Sequence, residues 1–265
     1  MTAPIPPALQ TIVEDLHGQG RLRVWSIIVS AFGDLVWPRA VRLPAPVLQD
    51  LMERLGVKPG AMRTALSRLV DDGWIERRRE GRSAAYGLTP DAAAESDLAA
   101  RRIYAPLLPP AADPIRVVVL PEGADEPEGL LRVRRGVYLA EASLDLPGSA
   151  MVIKGDLDQV PDWVLEAVAP KDVAVAFDEI GKLFRPLLDH APAMVPVDAA
   201  AARVLLIHYW RRVVLRQPGL PAVLTPSDWP GAGCHELVAG LYHALSDRME
   251  SWVPGAQRAP GRFQA

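Results

Sequence analysis

The chain has 265 residues, 49% hydrophobic and 23% charged, with a formal net charge of −3. Such a length allows two or three compact units with real cores, and the composition excludes a disordered or collagen-like chain. A single cysteine, Cys234, excludes an internal disulfide and a cysteine-based metal cluster, and no apolar run reaches the roughly 18 residues of a membrane span. With no basic-then-apolar leader at the N-terminus, the expected compartment is the reducing cytoplasm.

Charge is unevenly spread. Residues 21–88 hold 12 Lys and Arg against 7 Asp and Glu, whereas residues 89–265 hold 17 against 23. A basic N-terminal third on an acidic body is the footprint of a DNA-binding domain joined to something with another task.

Residues 1–20 form an N-terminal extension with an apolar patch at Leu9, Ile12, Val13 and Leu16, at the spacing of a short helix. Leu22, Trp25, Ile28, Val29 and Phe32 then predict a first solid helix ending near Gly33, and Pro38 breaks the pattern. A second helix follows Pro46, with Leu48, Leu51, Met52 and Leu55 on one face and Gly56 as its stop. The third runs from Pro59, well placed at a first helical position, to Gly73. Its Met62, Ala65, Leu66 and Leu69 share one face, which must be buried. The opposite face carries Gly60, Arg63, Thr64 and Ser67 with Arg68 on its flank, residue types that hydrogen-bond phosphates and base edges.

Trp74 to Leu88 reads as two short strands joined at Glu80-Gly81-Arg82-Ser83. Three helices and a basic hairpin make a winged helix-turn-helix over residues 21–89, the third helix entering the major groove. The expected DNA contacts are Arg63, Thr64, Ser67 and Arg68, with Lys58 at the helix start, and Arg78, Arg79, Arg82 and Ser83 on the hairpin. Asp71 would repel phosphate, so the N-terminal half of the helix is expected to dock. A merely solvated polar helix face and charged hairpin is the plainer alternative.

Thr89-Pro90-Asp91 starts a linker helix running to about Arg102, within a linker spanning residues 90–112. Residues 113–190 form a small α+β module, with strand-like runs at 115–120, 136–139, 150–153 and 173–176 and helical spacing at 160–168 and 178–188. Residues 191–265 are helical again. One long helix over 199–215 carries an apolar stripe of Leu206, Tyr209, Trp210, Val213 and Val214. A final helix with Val238, Leu241, Leu245, Met249 and Trp252 is expected to pair with it. The expected class is therefore α+β and multidomain.

Asp34-Leu-Val-Trp-Pro-Arg39, Leu55-Gly-Val57, Met62-Arg-Thr-Ala-Leu-Ser-Arg-Leu69, Asp72-Gly-Trp74, Gly81-Arg-Ser83 and Tyr86-Gly-Leu-Thr89 resemble the N-terminal domain of the PaaX family of bacterial repressors. His208-Tyr-Trp-Arg-Arg212, Pro218-Gly-Leu-Pro221 and Asp228-Trp-Pro-Gly231 resemble that family's C-terminal domain, in the same order. The resemblance implies a dimeric transcriptional regulator of aromatic catabolism, typically repressing phenylacetate degradation genes and released from DNA by phenylacetyl-CoA. It further implies a ferredoxin-like, Cas2-like middle domain and a helical C-terminal domain. The chain departs from the pattern around Glu122–Gly129, where the first strand and helix of the middle domain look shortened.

An acyl-CoA effector needs cations for its phosphates and an apolar pocket for its acyl group. Trp210, Arg211, Arg212 and Trp229 are the candidate effector-binding set. The competing reading has the arginines capping a helix end and the tryptophans filling a core. Catalysis is not expected. Cys234-His235-Glu236 contains reactive types, but neighbours along a helix point in different directions, and the histidines show no metal-ligand spacing, so neither metal nor cofactor is anticipated. The alternative function is a ligand-binding or scaffold protein whose winged helix contacts other proteins.

Overall fold

The computed structural model describes residues 4–20, 22–36, 41–80, 83–105, 115–127, 129–140, 144–155, 158–216, 224–226, 228–249, 252 and 262–263. They divide into two compact units, one drawn from residues 1–105, 180–212 and 236–265, the other from 106–179 and 213–235. Structure is α+β, with helices and two small antiparallel sheets. No described helix is long and apolar enough to cross a membrane.

In the first unit, α1 (Pro7–Gly18) buries Leu9, Ile12, Val13 and Leu16, the patch the sequence marks. In α2 (Val24–Leu35) the buried residues are Ile27, Ile28, Ala31, Phe32 and Leu35, together with Ser30 and Asp34. The expected stripe through Trp25 is rotated, since Trp25 is 37% exposed. The reason is that α2 is packed on more than one side, and its polar Ser30 and Asp34 are covered as well as its apolar residues.

α3 (Ala45–Arg54) buries Leu48, Leu51 and Met52, and α4 (Pro59–Asp71) buries Met62, Ala65, Leu66 and Leu69. Both helices end alike. After α3, Val57 N donates to Met52 O at 2.9 Å and Gly56 N to Glu53 O at 3.0 Å; after α4, Trp74 N donates to Leu69 O at 2.9 Å and Gly73 N to Val70 O at 3.0 Å. These paired bonds are Schellman closures, which require a left-handed residue, and Gly56 and Gly73 supply it with φ of +69° and +71°. Strands β2 (Ile75–Glu80) and β3 (Ser83–Leu88) pair antiparallel from Ile75↔Leu88 to Glu80↔Ser83, and β1 (Leu43–Pro44) adds to the far side of β3. Gly81 and Arg82, in the expected turn, lie outside the described residues. α5 (Pro90–Ile103) is capped as predicted: Thr89 Oγ1 accepts from Ala92 N at 3.3 Å and donates to Gly73 O at 2.8 Å. Thr89 thus ties the end of α4 to the start of α5.

The long helix is α9 (Pro196–Val214), which follows the short α8 (Leu187–His190), and every one of its residues from Asp198 to Trp210 is buried. This corrects the one-sided stripe expected there. Four successive alanines, 199 to 202, give the helix no bulky polar face, and a helix covered all round belongs inside a core. Its polar residues are met by partners far along the chain. Arg203 Nε donates to Asp34 Oδ2 at 2.7 Å and Arg203 Nη1 to Ser246 Oγ of α10 (Gly231–Met249) at 2.8 Å. Asp34 Oδ1 also accepts from Tyr104 Oη at 2.8 Å and from Arg262 Nη1 at 3.2 Å. Burial, and then the Asp34 carboxylate, hold the Tyr104 hydroxyl well above its ordinary range, so it stays a donor. A second buried pair, Arg54 Nε to Asp198 Oδ1 at 2.9 Å, joins α3 to α9. Burial pushes the Asp198 carboxyl up against the opposing pull of Arg54.

The second unit holds β4 (Arg116–Val119), β5 (Leu131–Arg134), β6 (Val137–Ala140) and β7 (Met151–Lys154) in the antiparallel order β5-β6-β4-β7. That is the strand order of a ferredoxin-like module, whose helices follow its first and third strands. Here no helix stands among the described residues between β4 and β5 or between β6 and β7. α6 (Asp162–Val168) packs on one face, where Ile115, Leu131, Leu139, Val168 and Leu224 form a cluster; Val118, Leu120, Tyr138 and Ala140 form another. The strand expected at 173–176 is instead part of α7 (Lys171–Phe184). Val173, Phe177, Ile180 and Phe184 are all buried, a helical spacing that outweighs the local Val-Ala-Val run. β5 was not expected, because Arg132 and Arg134 mask the alternation of Leu131 and Val133.

Candidate nucleic-acid interface

α4 presents the polar face that the sequence predicts. Lys58, Gly60, Arg63, Thr64, Ser67 and Arg68 are exposed, opposite the buried Met62, Ala65, Leu66 and Leu69. Lys58 occupies the N-cap without a side-chain cap, and no acidic residue stands in the first turn. The first amides of α4 are therefore open to an anion, which the helix dipole favours. Thr64 Oγ1 donates to Gly60 O at 3.1 Å, which turns its lone pairs outward as acceptors. At the far end Arg68 Nε lies 3.5 Å from Asp72 Oδ2, both largely exposed. Such a surface pair is weak, but with Asp71 it makes the C-terminal turn the less cationic end.

On the hairpin Arg78 and Arg79 are exposed, and so is Arg77, which the sequence reading passed over although it stands in the same run. Arg78 Nη2 is 3.7 Å from Glu76 Oε1, and Arg42 also pairs with Glu76. Ser83 is half-buried, its hydroxyl 3.4 Å from Ala84 O. Arg82 lies outside the described residues. The structure thus gathers Lys58, Arg63, Thr64, Ser67 and Arg68 on one helix and Arg78 and Arg79 on the adjoining hairpin.

The candidate effector residues sort differently. Trp210 is fully buried and donates its indole N–H to Ile103 O at 2.7 Å. Arg211 Nη2 donates to Ser26 Oγ at 2.9 Å and Ser26 O at 3.1 Å, and Arg212 Nη1 to Gln19 Oε1 at 3.1 Å. Burial, then Arg212, lower the Arg211 pKa, and Arg211 Nε is buried with no hydrogen-bond partner among the described residues. Trp229 belongs to the second unit, edge-on to Phe177 with ring centroids 5.7 Å apart. The three residues of α9 turn to three separate partners, and Trp229 packs within the second unit.

His208, outside the candidate set, completes this stretch of α9. Its Nδ1 is 2.9 Å from Ser30 Oγ, and Ser30 Oγ donates to Ser26 O at 3.0 Å, so His208 is the donor between them. Burial first, then Arg211 and Arg212, lower its pKa from 6.5 to about 3. Between those values the unfolded chain takes up a proton that the folded chain refuses. The neutral imidazole therefore contributes stability that is complete above pH 6.5 and is lost as pH falls toward 3, at a slope on the order of 1.4 kcal/mol per pH unit. Denaturant titrations should show this slope, and His208→Asn should flatten it; an unchanged profile would place the acid sensitivity elsewhere.

Comparison with known proteins gives consistent matches. A family model described as "PaaX-like protein" matches residues 23–92, and one described as "PaaX-like protein C-terminal domain" matches residues 168–254, together more than half of the chain. A curated relative, "Transcriptional repressor PaaX" of Escherichia coli (strain K12), is 28% identical over 261 residues, covering 86% of this chain and 82% of its own. Among solved structures, "Uncharacterized protein Rv0674 from Mycobacterium tuberculosis" is similar with a TM-score of 0.56 at 19% identity, covering 85% of this chain and 97% of that one. That last likeness concerns the fold alone.

Proposed function

As the chain belongs to the PaaX-like protein family, we propose that it is a DNA-binding transcriptional repressor of aromatic catabolic genes of the phenylacetate type. It acts as a homodimer on an inverted-repeat operator and is released by an aryl-acyl-CoA such as phenylacetyl-CoA. Residues 21–89 serve as a winged helix-turn-helix with α4 in the major groove.

The observation that carries this reading is the polar face of α4, with Lys58, Arg63, Thr64, Ser67 and Arg68 exposed above a fully apolar buried face. Arg78 and Arg79 on β2, with Arg82 and Ser83 beyond, supply backbone contacts beside it. A single module with few phosphate contacts binds weakly and salt-sensitively, and symmetric pairing on two half-sites multiplies its affinity. The effector part is supported by Arg211, which holds a buried, unbonded Nε beside a second cation on Arg212. Release follows if the thioester binds better to a dimer whose two α4 helices are mis-spaced for the operator.

Hydroxyl-radical footprinting of the DNA upstream of the chain's own reading frame tests this. Two protected segments are expected, centred about 10 base pairs or a multiple apart, with the protection lost on adding phenylacetyl-CoA. No protected segment would overturn the repressor reading and favour a scaffold whose helix face contacts protein. Protection that a different aryl-acyl-CoA removes, and phenylacetyl-CoA does not, would correct the effector alone.

A further inference from the structure

α1 lies outside both stretches matched by the family models, yet it touches two parts of the molecule that bear on α4. At its C-terminal end it meets the turn between α3 and α4. His17 Nε2 donates to Leu55 O at 2.9 Å, which requires the proton on Nε2. Leu55 is the C-cap of α3, so its carbonyl is one that the helix itself leaves without a partner. The seat is close-fitting: a Cβ at Gly56 would stand 2.8 Å from His17 Nε2 and 3.6 Å from Val13 Cγ1. The same last turn of α1 also meets the C-terminal part of α9. Tyr209 Oη donates to Asp15 Oδ2 at 2.6 Å, Gln19 Nε2 donates to the same oxygen at 2.7 Å, and Arg212 Nη1 donates to Gln19 Oε1 at 3.1 Å.

We propose that α1 is a strap that positions the DNA-reading helix, with His17 as its positioning residue and the Tyr209–Asp15 bond as its anchor on α9. The inference rests on the DNA-binding reading given above for what α4 does, but not for the mechanical link itself. Only Leu55, Gly56 and Val57 separate α3 from the N-cap of α4 at Lys58. A glycine with positive φ at the middle of that turn leaves its local conformation permissive. The bond from His17 fixes the carbonyl on one side of this turn and so the angle at which the N-terminal half of α4 leaves it. That half carries Lys58, Arg63 and Thr64, and a small tilt there withdraws base-edge contacts sooner than long, flexible phosphate contacts. Tyr209 places α9 in the same chain of contacts, so a change in α9 reaches α4 without crossing the core of α2.

Full-length His17→Ala, His17→Gln and Tyr209→Phe proteins test it. Affinity is read on the upstream duplex and on a scrambled duplex, alongside thermal midpoints and amide hydrogen exchange. His17→Ala should bind the upstream duplex about fivefold to tenfold less tightly, with scrambled-duplex affinity and thermal midpoint nearly unchanged. His17→Gln, whose amide can donate to the same carbonyl, should recover most of the loss. Exchange should quicken at residues 56–62 in His17→Ala, and at both α1 and residues 56–62 in Tyr209→Phe. Equal loss on both duplexes, a lowered thermal midpoint that accounts for the loss, or unchanged exchange over 56–62 would overturn the proposal. The exchange measurement uses no DNA, so a wild-type chain that binds no operator would refute the repressor reading while the strap is still judged by exchange.

Discussion

Replacing Asp34 with alanine should lower folding stability by about 3–5 kcal/mol, read as a shifted denaturant midpoint at unchanged slope. Its side chain is wholly enclosed and faces two guanidiniums, Arg203 at 2.7 Å and Arg262 at 3.2 Å, as well as the Tyr104 hydroxyl at 2.8 Å. Removing the carboxylate takes away the counter-ion that the described residues set against these two buried guanidiniums, and loss of one partner of a buried charge pair is among the costliest single changes a fold can suffer. The aromatic rings relieve only part of this: Arg203 lies 4.7 Å from the Tyr242 ring centre and Arg262 lies 4.2 Å from that of Tyr104. Cation–π contacts contribute about 1–2 kcal/mol each at best. Adding Arg203→Met to Asp34→Ala should therefore recover stability rather than lose more, a coupling visible in a double-mutant cycle. A loss below about 1 kcal/mol for Asp34→Ala would mean the carboxylate is not what holds these arginines.

The same network explains what the sequence could and could not reveal. α4 was legible because one short window carries its whole logic: Pro59 at the start, Gly73 at the stop, and Met62, Ala65, Leu66 and Leu69 on one face. The hairpin was legible for the same reason, since its turn and its arginines are adjacent. The Asp34–Arg203 pair joins residues 169 apart in sequence, and nothing local in the apolar Val24–Leu35 segment marks Asp34 as a core residue. The burial of α9 on all sides was hidden likewise, because a helix bearing Asp198, Arg203 and His208 looks one-sided until their partners are found. In the second unit, charges on alternate positions concealed β5, and a short Val-Ala-Val run within α7 mimicked a strand.

This placement also changes the meaning of the stretch from His208 to Arg212. Its five side chains reach different partners: His208 to Ser30, Tyr209 to Asp15, Trp210 to the Ile103 carbonyl, Arg211 to Ser26 and Arg212 to Gln19. The sequence suggested a pocket for a thioester. The structure adds that α9 is bonded through this one stretch to α1, α2 and α5, of which α2 packs directly on α4.

In the reading proposed above, α4 meets DNA through the exposed face that carries Arg63 and Arg68. The most direct test is the salt dependence of binding to the upstream duplex by the unaltered chain, by Arg63→Ala, by Arg68→Ala and by the double variant. Both arginines are exposed, so none of these changes should disturb the fold beyond about 0.5 kcal/mol. Each single change should weaken binding by about 1–3 kcal/mol if the arginine contacts a base edge, relaxing sequence preference. If it contacts phosphate it should reduce the slope of log affinity against log salt by about 1 with sequence preference retained. The double variant should lose affinity by roughly a hundredfold or more. A wild-type shift that is neither sequence-selective nor salt-dependent, or a selective shift that survives loss of both arginines, would show that this face of α4 does not read DNA.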